Sequence, residues 1–320
     1  MSRELKSLSV VVPGLNEAET LPLLYDKLVQ ILGSREWQLE IVFVDDGSTD
    51  GTAQICADLH RQDPRFQFVS LSRNFGHQRA LTAGLDFCTG QAVAAMDADL
   101  QDPPEVVLEM ISRWKDGVDV VYGQRRSRQG ETAFKKATAA AYYRIMRFLS
   151  GMPLPADTGD FRLMDRVVVD TLSQLREQGR FMRGLVHWVG FRQEALLYDR
   201  HARAAGSTKY PLVKMLRFAW DGITSFSTMP LRLATWCGFA VFIASALLIV
   251  FYFIRKVVFH DDLVPGWTAL IMAVLAFGGL QMFFIGLLGE YVGRCFSEVK
   301  GRPLYLVKTT SLIPPTNRSK

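Results

Sequence analysis

Short apolar runs alternate with segments of helical spacing over the first 125 residues. Residues 8–12, 39–44, 66–71, 91–96 and 118–122 read as strands, rich in Val, Ile, Leu, Ala and Phe. Between them, residues 18–32, 52–59, 79–87 and 104–114 read as helices. The first of these places Leu21, Leu24, Leu28 and Ile31 on one face. Continuous apolar strands alternating with amphipathic helices predict a mostly parallel sheet covered on both faces. That is the Rossmann-like α/β class. Residues 130–205 are less regular, with a helix expected over 133–149, broken by Gly151 and Pro153. Strands are expected over 161–164 and 193–198.

The last third follows another pattern. Over 210–229, Leu212, Met215, Leu216, Ala219 and Ile223 share a helical face, while Lys214, Arg217 and Asp221 lie on another. With Phe218 and Trp220 this predicts an amphipathic helix lying in a membrane interface. Neither 233–254 nor 263–289 contains a charged residue. As a helix the first spans about 33 Å, enough for a bilayer core of about 30 Å. Trp236, Tyr252, Trp267 and Tyr291 sit near the ends, where interfacial anchors belong. A two-helix transmembrane hairpin is therefore expected, about 233–254 and 267–290. Lys214, Arg217 and Arg232 precede it, and Arg294, Lys300, Arg302 and Lys308 follow. This bias places both termini in the cytoplasm. The expected organisation is a cytosolic domain over 1–209, an interfacial region over 210–232, the hairpin over 233–292 and a cytosolic tail over 293–320.

Composition narrows the classes. Of 320 residues, 49% are hydrophobic and 22% charged, with 25 Gly and 13 Pro, which excludes collagenous and low-complexity chains. A net charge of +5 is too weak to argue for nucleic acid, and none is expected as partner. It suits an anionic bilayer or phosphorylated substrates. The cysteines, Cys56, Cys88, Cys237 and Cys295, form no CxxC pair, so neither a disulfide framework nor a zinc site is expected. The opening MSRELKSLSVVVP reads as a strand, not a signal peptide.

In an open α/β sheet, ligands bind at the carboxyl ends of the strands. Each such end here carries polar residues. VVPGLNE follows the first, with Pro13, Asn16 and Glu17; DDGSTDGT follows the second, with Asp45, Asp46, Ser48 and Asp50. Ser48 and Asp50 suit turn and cap roles before the next helix. Asp45 and Asp46 fit that role less well, since adjacent carboxylates repel. No GxGxxG follows the first strand, which argues against a nicotinamide enzyme. MDADLQDPP follows the fourth, where Asp97, Asp99 and Gln101 offer hard oxygen ligands for Mg²⁺ or Mn²⁺ bridging a diphosphate. In the second span, Gly278, Gly279 and Gly286 make a small surface for helix packing, and a homo-oligomer is expected. Glu290 is spaced to pair with Arg294.

The strings VVPGLNE, DDGSTDGT, SRNFG and DADLQDPP resemble the GT-A nucleotide-sugar domain of family 2 glycosyltransferases. TGDFRLM, ITSFSTMPLR and GLLGEYVGR resemble the membrane-bound polyprenyl-phosphate glycosyltransferases within it, above all the bacterial bactoprenol glucosyltransferases of GtrB type. Dolichyl-phosphate mannose synthases and lipid A aminoarabinose transferases are similar too. The resemblance implies that Pro13, Glu17, Asp45 and Asp46 contact uracil and ribose. It implies that Asp97 and Asp99 hold the metal and diphosphate, with Gln101 an added ligand, and that Arg73 to His77 line the same pocket. RAAGSTKY resembles the acceptor-side loop RxxGxSKY, with Thr208 where serine is common. Arg125, Arg203 and Lys209 are the expected acceptor-phosphate cations, with Arg126 and Arg128 weaker candidates. Asp160, in TGDFRLM, stands where the family carries an acidic residue near the acceptor. It is either a base or a group that orients an arginine such as Arg162.

The implied activity is inverting transfer of glucose from UDP-glucose to an undecaprenyl-type phosphate at the inner membrane. Other donors, GDP-mannose or a UDP-aminoarabinose, fit the same motifs. A hydroxyl acceptor would make Asp160 an essential base. A silent membrane scaffold is argued against by the intact DxD pair.

Overall fold

The computed structural model describes residues 3–33, 36–126, 158–199, 229–258 and 266–312. The helix expected over 133–149 lies outside these, as do Arg128, Arg203, Lys209 and all but the last residue of the interfacial helix expected over 210–229. In chain order the first elements are β1 (Ser7–Gly14), α1 (Leu21–Leu32), β2 (Gln38–Asp45), α2 (Thr52–Gln62), β3 (Phe66–Leu71) and α3 (His77–Phe87). Next come β4 (Ala92–Ala95), α4 (Glu105–Lys115), β5 (Val120–Arg125), β6 (Thr158–Asp165), α5 (Arg166–Gln174), α6 (Met182–Trp188) and β7 (Gln193–Tyr198). Two long helices, α7 (Met229–Val258) and α8 (Trp267–Val299), precede the last strand, β8 (Val307–Thr310).

The described residues divide into two compact units, one carrying the strands and the other α7 and α8. The strand order is β7-β5-β6-β4-β1-β2-β3-β8. β1 lies between β2 and β4, parallel to both, so the chain direction switches there, where α/β sheets bind ligands. The sheet is more mixed than the apolar pattern predicts. β6 inserts antiparallel between β4 and β5, and β8 runs antiparallel to β3. The inversion has a functional consequence. Ala95 at the end of β4 pairs with Arg162 midway along β6, which brings Asp160, two residues earlier in β6, beside the DxD loop.

Alternation along the strands builds two layers. Leu8, Val10, Val12, Ile41 and Phe43 join the core with Leu21, Leu24, Leu28 and Leu32 of α1 and Trp114 of α4. Leu32, rather than Ile31, completes the buried stripe of α1. On the other face α3 packs close to β1 and β2, and a Cβ at Gly84 would overlap Val11 and crowd Val44.

Part of the segment expected as a cytosolic tail pairs with the sheet. Leu304 is buried, and the Tyr305 hydroxyl donates to Asp86 Oδ2 at 2.7 Å, beside the Arg176–Asp86 pair at 2.6 Å. The Ser311 hydroxyl oxygen accepts from the Phe68 N–H at 2.8 Å. Tyr305→Phe removes a donor from a buried carboxylate and is expected to cost about 1–2 kcal/mol. Thermal melts in detergent check this, and an unchanged midpoint would contradict it.

Both long helices extend past the charge-free segments. α7 takes in Arg232 and Arg255, and α8 runs on through Glu290, Arg294 and Glu298. Glu290 Oε1 pairs with Arg294 Nη2 at 3.0 Å along α8. Large apolar side chains stand exposed on both, including Trp236, Phe239, Leu247, Phe277, Phe283 and Leu288. Counting only residues whose side chains are described, no helix is long and apolar enough to cross a membrane.

Candidate active site at the carboxyl ends of the sheet

The loops after β1 and β2 are stitched together. Asn16 N–H donates to Ser48 Oγ at 2.8 Å, and Thr49 N–H donates to Asn16 Oδ1 at 2.9 Å. Asn16 adopts a left-handed φ of 57°, a conformation asparagine tolerates. Asp50 accepts from the backbone of Thr52 and Ala18, a turn and cap role. Glu17 sits among these groups. Burial raises its pKa, the Thr20 hydroxyl opposes this, and the charges of Asp99 and Asp50 add to the rise. Pro13 is buried in β1, in register with Val44.

Asp45 and Asp46 are both buried and face local backbone donors. Asp45 accepts from Ser48 N–H at 2.9 Å. Asp46 accepts from Phe75 N–H at 2.7 Å and Gly76 N–H at 2.9 Å, so its carboxylate pins the SRNFG loop. Gly47 has φ +74°, and a Cβ there would stand 2.7 Å from Arg73 Cα and Asn74 N. The two loops thus close on each other where only glycine fits. Arg73 is exposed, its guanidinium 4.0 Å from the centre of the Phe75 ring.

Past β4 the chain makes a tight turn with Leu100 at φ 57°. Gln101 N–H donates to Asp99 Oδ1 at 3.2 Å. Asp97 Oδ1 is buried with no hydrogen-bond donor, and its pKa is pushed up to about 6 by burial. Asp160, Asp102 and Asp99 add to that rise, while His77 opposes it. A carboxylate oxygen left in this state fits a cation ligand. Among the described residues no group of three His, Cys, Asp or Glu side chains could by itself hold a metal ion. The all-oxygen donors Asp97, Asp99 and Gln101 are of the type that suits Mg²⁺ or Mn²⁺, ions that keep several waters and substrate phosphate oxygens in their shell.

Asp160 is 5% exposed and heavily partnered. It accepts from Arg183 Nε at 3.0 Å and Nη2 at 3.4 Å, and from Gln78 Nε2 at 3.0 Å. His77 Nε2 lies 3.2 Å from Asp160 Oδ2 and 3.6 Å from Asp97 Oδ1, linking the two carboxylates. Arg162, 4% exposed, holds Gly159 O at 2.9 Å and has Nη2 3.9 Å from Asp160 Oδ1. Burial alone would raise the Asp160 pKa. His77, Arg183 and Arg162 outweigh it and hold the carboxyl well below the usual range. For His77, burial is likewise outweighed by Asp160 and Asp97, and its pKa rises.

Arg125, at the end of β5, faces Tyr198 in register. The Tyr198 hydroxyl donates to buried Asp102 Oδ1 at 2.6 Å, tying this end of the sheet to the DxD loop. Pro13, Glu17, Asp45, Asp46, Arg73, His77, Asp97, Asp99, Gln101, Arg125 and Asp160 therefore lie on the same side of the sheet as the carboxyl ends of its parallel strands. Gln78 and Arg183 join them without a sequence signal. Neither lies in a strand-end motif, and Arg183 arrives on α6, far along the chain.

An α/β sheet with carboxylates clustered beside its topological switch has the layout in which such sheets hold ligands. Residues 9–173 match the model for glycosyl transferase family 2, and residues 229–295 match the GtrB C-terminal hairpin. The chain belongs to glycosyl transferase family 2 and is a glycosyltransferase. It is 46% identical over 308 residues to "Uncharacterized glycosyltransferase YkcC" of Bacillus subtilis, covering 96% of this chain and 95% of that one. It is 40% identical over 302 residues to "Bactoprenol glucosyl transferase" of Shigella phage SfX, covering 94% and 99%. To "Prophage bactoprenol glucosyl transferase homolog" of Escherichia coli K12 it is 39% identical over 301 residues, covering 94% and 98%.

Proposed function

We propose that the protein transfers glucose from UDP-glucose to the phosphate of an undecaprenyl-type lipid, with inversion, at the cytoplasmic face of the inner membrane. The observation that carries this reading is the pairing, across β4 and β6, of the DxD carboxylates with the Asp160–arginine cluster. One side suits a nucleotide diphosphate and the other an anionic acceptor. The named relatives and the exposed apolar side chains of α7 and α8 support a lipid acceptor. In this reading α7 and α8 form a transmembrane hairpin. After it the chain rejoins the sheet as β8, so two crossings leave both flanks on the cytoplasmic side. Self-association through the hairpin belongs to the same reading.

The acceptor phosphate is already anionic at neutral pH, so no base is required. One of its oxygens attacks the anomeric carbon. The new C–O bond forms as the bond to the diphosphate breaks, and the nucleoside diphosphate leaves with the electron pair. The residues must bring two anions together and spread the developing charge. Mg²⁺ or Mn²⁺ held by Asp97, Asp99 and Gln101 would neutralise charge on the diphosphate. Asp46 and Gly47 set the SRNFG loop against the nucleotide, and Asp160 positions cations instead of accepting a proton.

Purified protein in detergent, given polyprenyl phosphate, Mn²⁺ or Mg²⁺ and radiolabelled nucleotide sugars, tests the reading. Label passing from UDP-glucose to the lipid phase supports it. Transfer from GDP-mannose or a UDP-aminoarabinose alone overturns the sugar. Absence of transfer to any phosphate lipid overturns the acceptor. Gly47→Ala forces a strained φ and displaces the loop. It is expected to weaken UDP binding about tenfold or more, an effect of about 1.4 kcal/mol, read by calorimetry.

A further inference from the structure

We propose that Arg183 is an acceptor-phosphate ligand of the transfer centre, its guanidinium fixed by Asp160 as a positioning residue. The proposal rests on the polyprenyl-phosphate reading and adds to it a residue outside the strand-end motifs.

Asp160 faces two arginines with different surroundings. The Arg162 side chain is 5% exposed and bonded to the backbone of its own strand. The Arg183 side chain is 34% exposed, so of the two it is the one that meets solvent. Its Nε and Nη2 both face the Asp160 carboxylate, the bidentate geometry that fixes a guanidinium plane. The backbone beside it is fixed as well. Met182 N–H donates to Gln78 Oε1 at 2.8 Å, while Gln78 Nε2 donates to Asp160. One glutamine thus ties the first turn of α6 to the carboxylate that holds Arg183.

Charge points the same way. Two guanidiniums face the one buried carboxylate of Asp160, and Asp97 stands beyond His77 on the diphosphate side. A pre-oriented guanidinium favours a phosphate. The order of groups distinguishes acceptor from donor. The DxD pair marks the diphosphate end, His77 bridges it to Asp160, and Arg183 lies on Asp160. Arg183 is therefore one carboxylate removed from the donor pole.

The test compares Arg183→Lys, Arg183→Gln and the double variant Arg183→Gln/Asp160→Asn with the parent in full-length, detergent-solubilised protein. Transfer to undecaprenyl phosphate, calorimetric UDP binding and the melting midpoint are read together. Arg183→Lys keeps the charge but loses the fork, and is expected to raise the KM for the lipid phosphate at least tenfold. UDP affinity is expected to change less than twofold. The double variant also takes the carboxylate from buried Arg162, so its melting midpoint is expected to fall below that of Arg183→Gln, while its acceptor KM stays raised. An unchanged acceptor KM in folded Arg183→Gln overturns the proposal. So does recovery of acceptor KM with stability in the double variant, which would mark a structural ion pair. A parallel loss of UDP affinity would assign Arg183 to the donor and also overturn it. If the parent itself transfers nothing to the lipid phosphate, the functional reading has failed, and the acceptor role of Arg183 falls with it.

Discussion

Asp97→Asn and Asp99→Asn are each expected to lower the transfer rate by about 10²–10³-fold, an effect of about 3–4 kcal/mol on the barrier. Both carboxylates lie at the end of β4, where a diphosphate would leave, and an amide cannot replace their charge toward a cation. Asp97→Asn is also expected to leave the melting temperature of the metal-free protein unchanged or raised. Its Oδ1 is buried without a hydrogen-bond donor, so the wild-type carboxylate is costly in the absence of a cation. Loss of activity without loss of stability is the pattern of a functional site. Rate measurements against Mn²⁺ concentration, with thermal melts, check it. Activity that persists in chelator, or survives both substitutions, would contradict a metal-assisted departure of the diphosphate.

Asp160→Ala is expected to do the opposite to stability. It leaves Arg162 buried and Arg183 half-buried without their shared carboxylate. Breaking a buried pair on one side costs about 3–5 kcal/mol, which lowers the melting temperature by roughly 10 °C. Transfer is lost as well, because the cations beside the acceptor lose their anchor. The pH dependence separates this from the loss of a base. The folded pKa of Asp160 is held below its ordinary value of 3.8, so its stabilisation is complete above about pH 4. It fades only as pH falls further. The melting gap between wild type and Asp160→Asn is therefore expected to widen as pH falls from 8 to 6, where His77, whose pKa Asp160 raises, takes up its proton, and to narrow below pH 4. A wild-type rate that rises through a carboxylate titration in the neutral range, and loses that limb in Asp160→Asn, would restore the base.

The contrast between these two aspartates was only partly legible in the chain. Both stand in recognisable strings, and both were expected near the reacting groups. Their environments differ for reasons no local pattern carries. Asp97 ends a short apolar strand and finds a lone histidine 3.6 Å away. Asp160 meets Arg183, Gln78 and His77 only because β6 enters the sheet antiparallel beside β4. Asp45 and Asp46 show the same limit. Their place at the end of β2 was readable, yet the turning of Asp46 toward Phe75 and Gly76 depends on how two loops close over Gly47. β8 left no usable signal, since four residues of mixed character become a strand only against the free edge of β3.

The sequence by itself determined the α/β alternation, the polar residues at the strand ends and the two long helices near the end of the chain. These depend on periodicity and turn residues close together in the chain, and side-chain burial follows that spacing directly. The tertiary structure alone decided the insertion of β6, the return of β8 and the arrival of Arg183 on α6. Each joins segments far apart in the chain. Whether such segments pair depends on the free edge or buried charge each one meets, and that exists only once the rest of the sheet has formed.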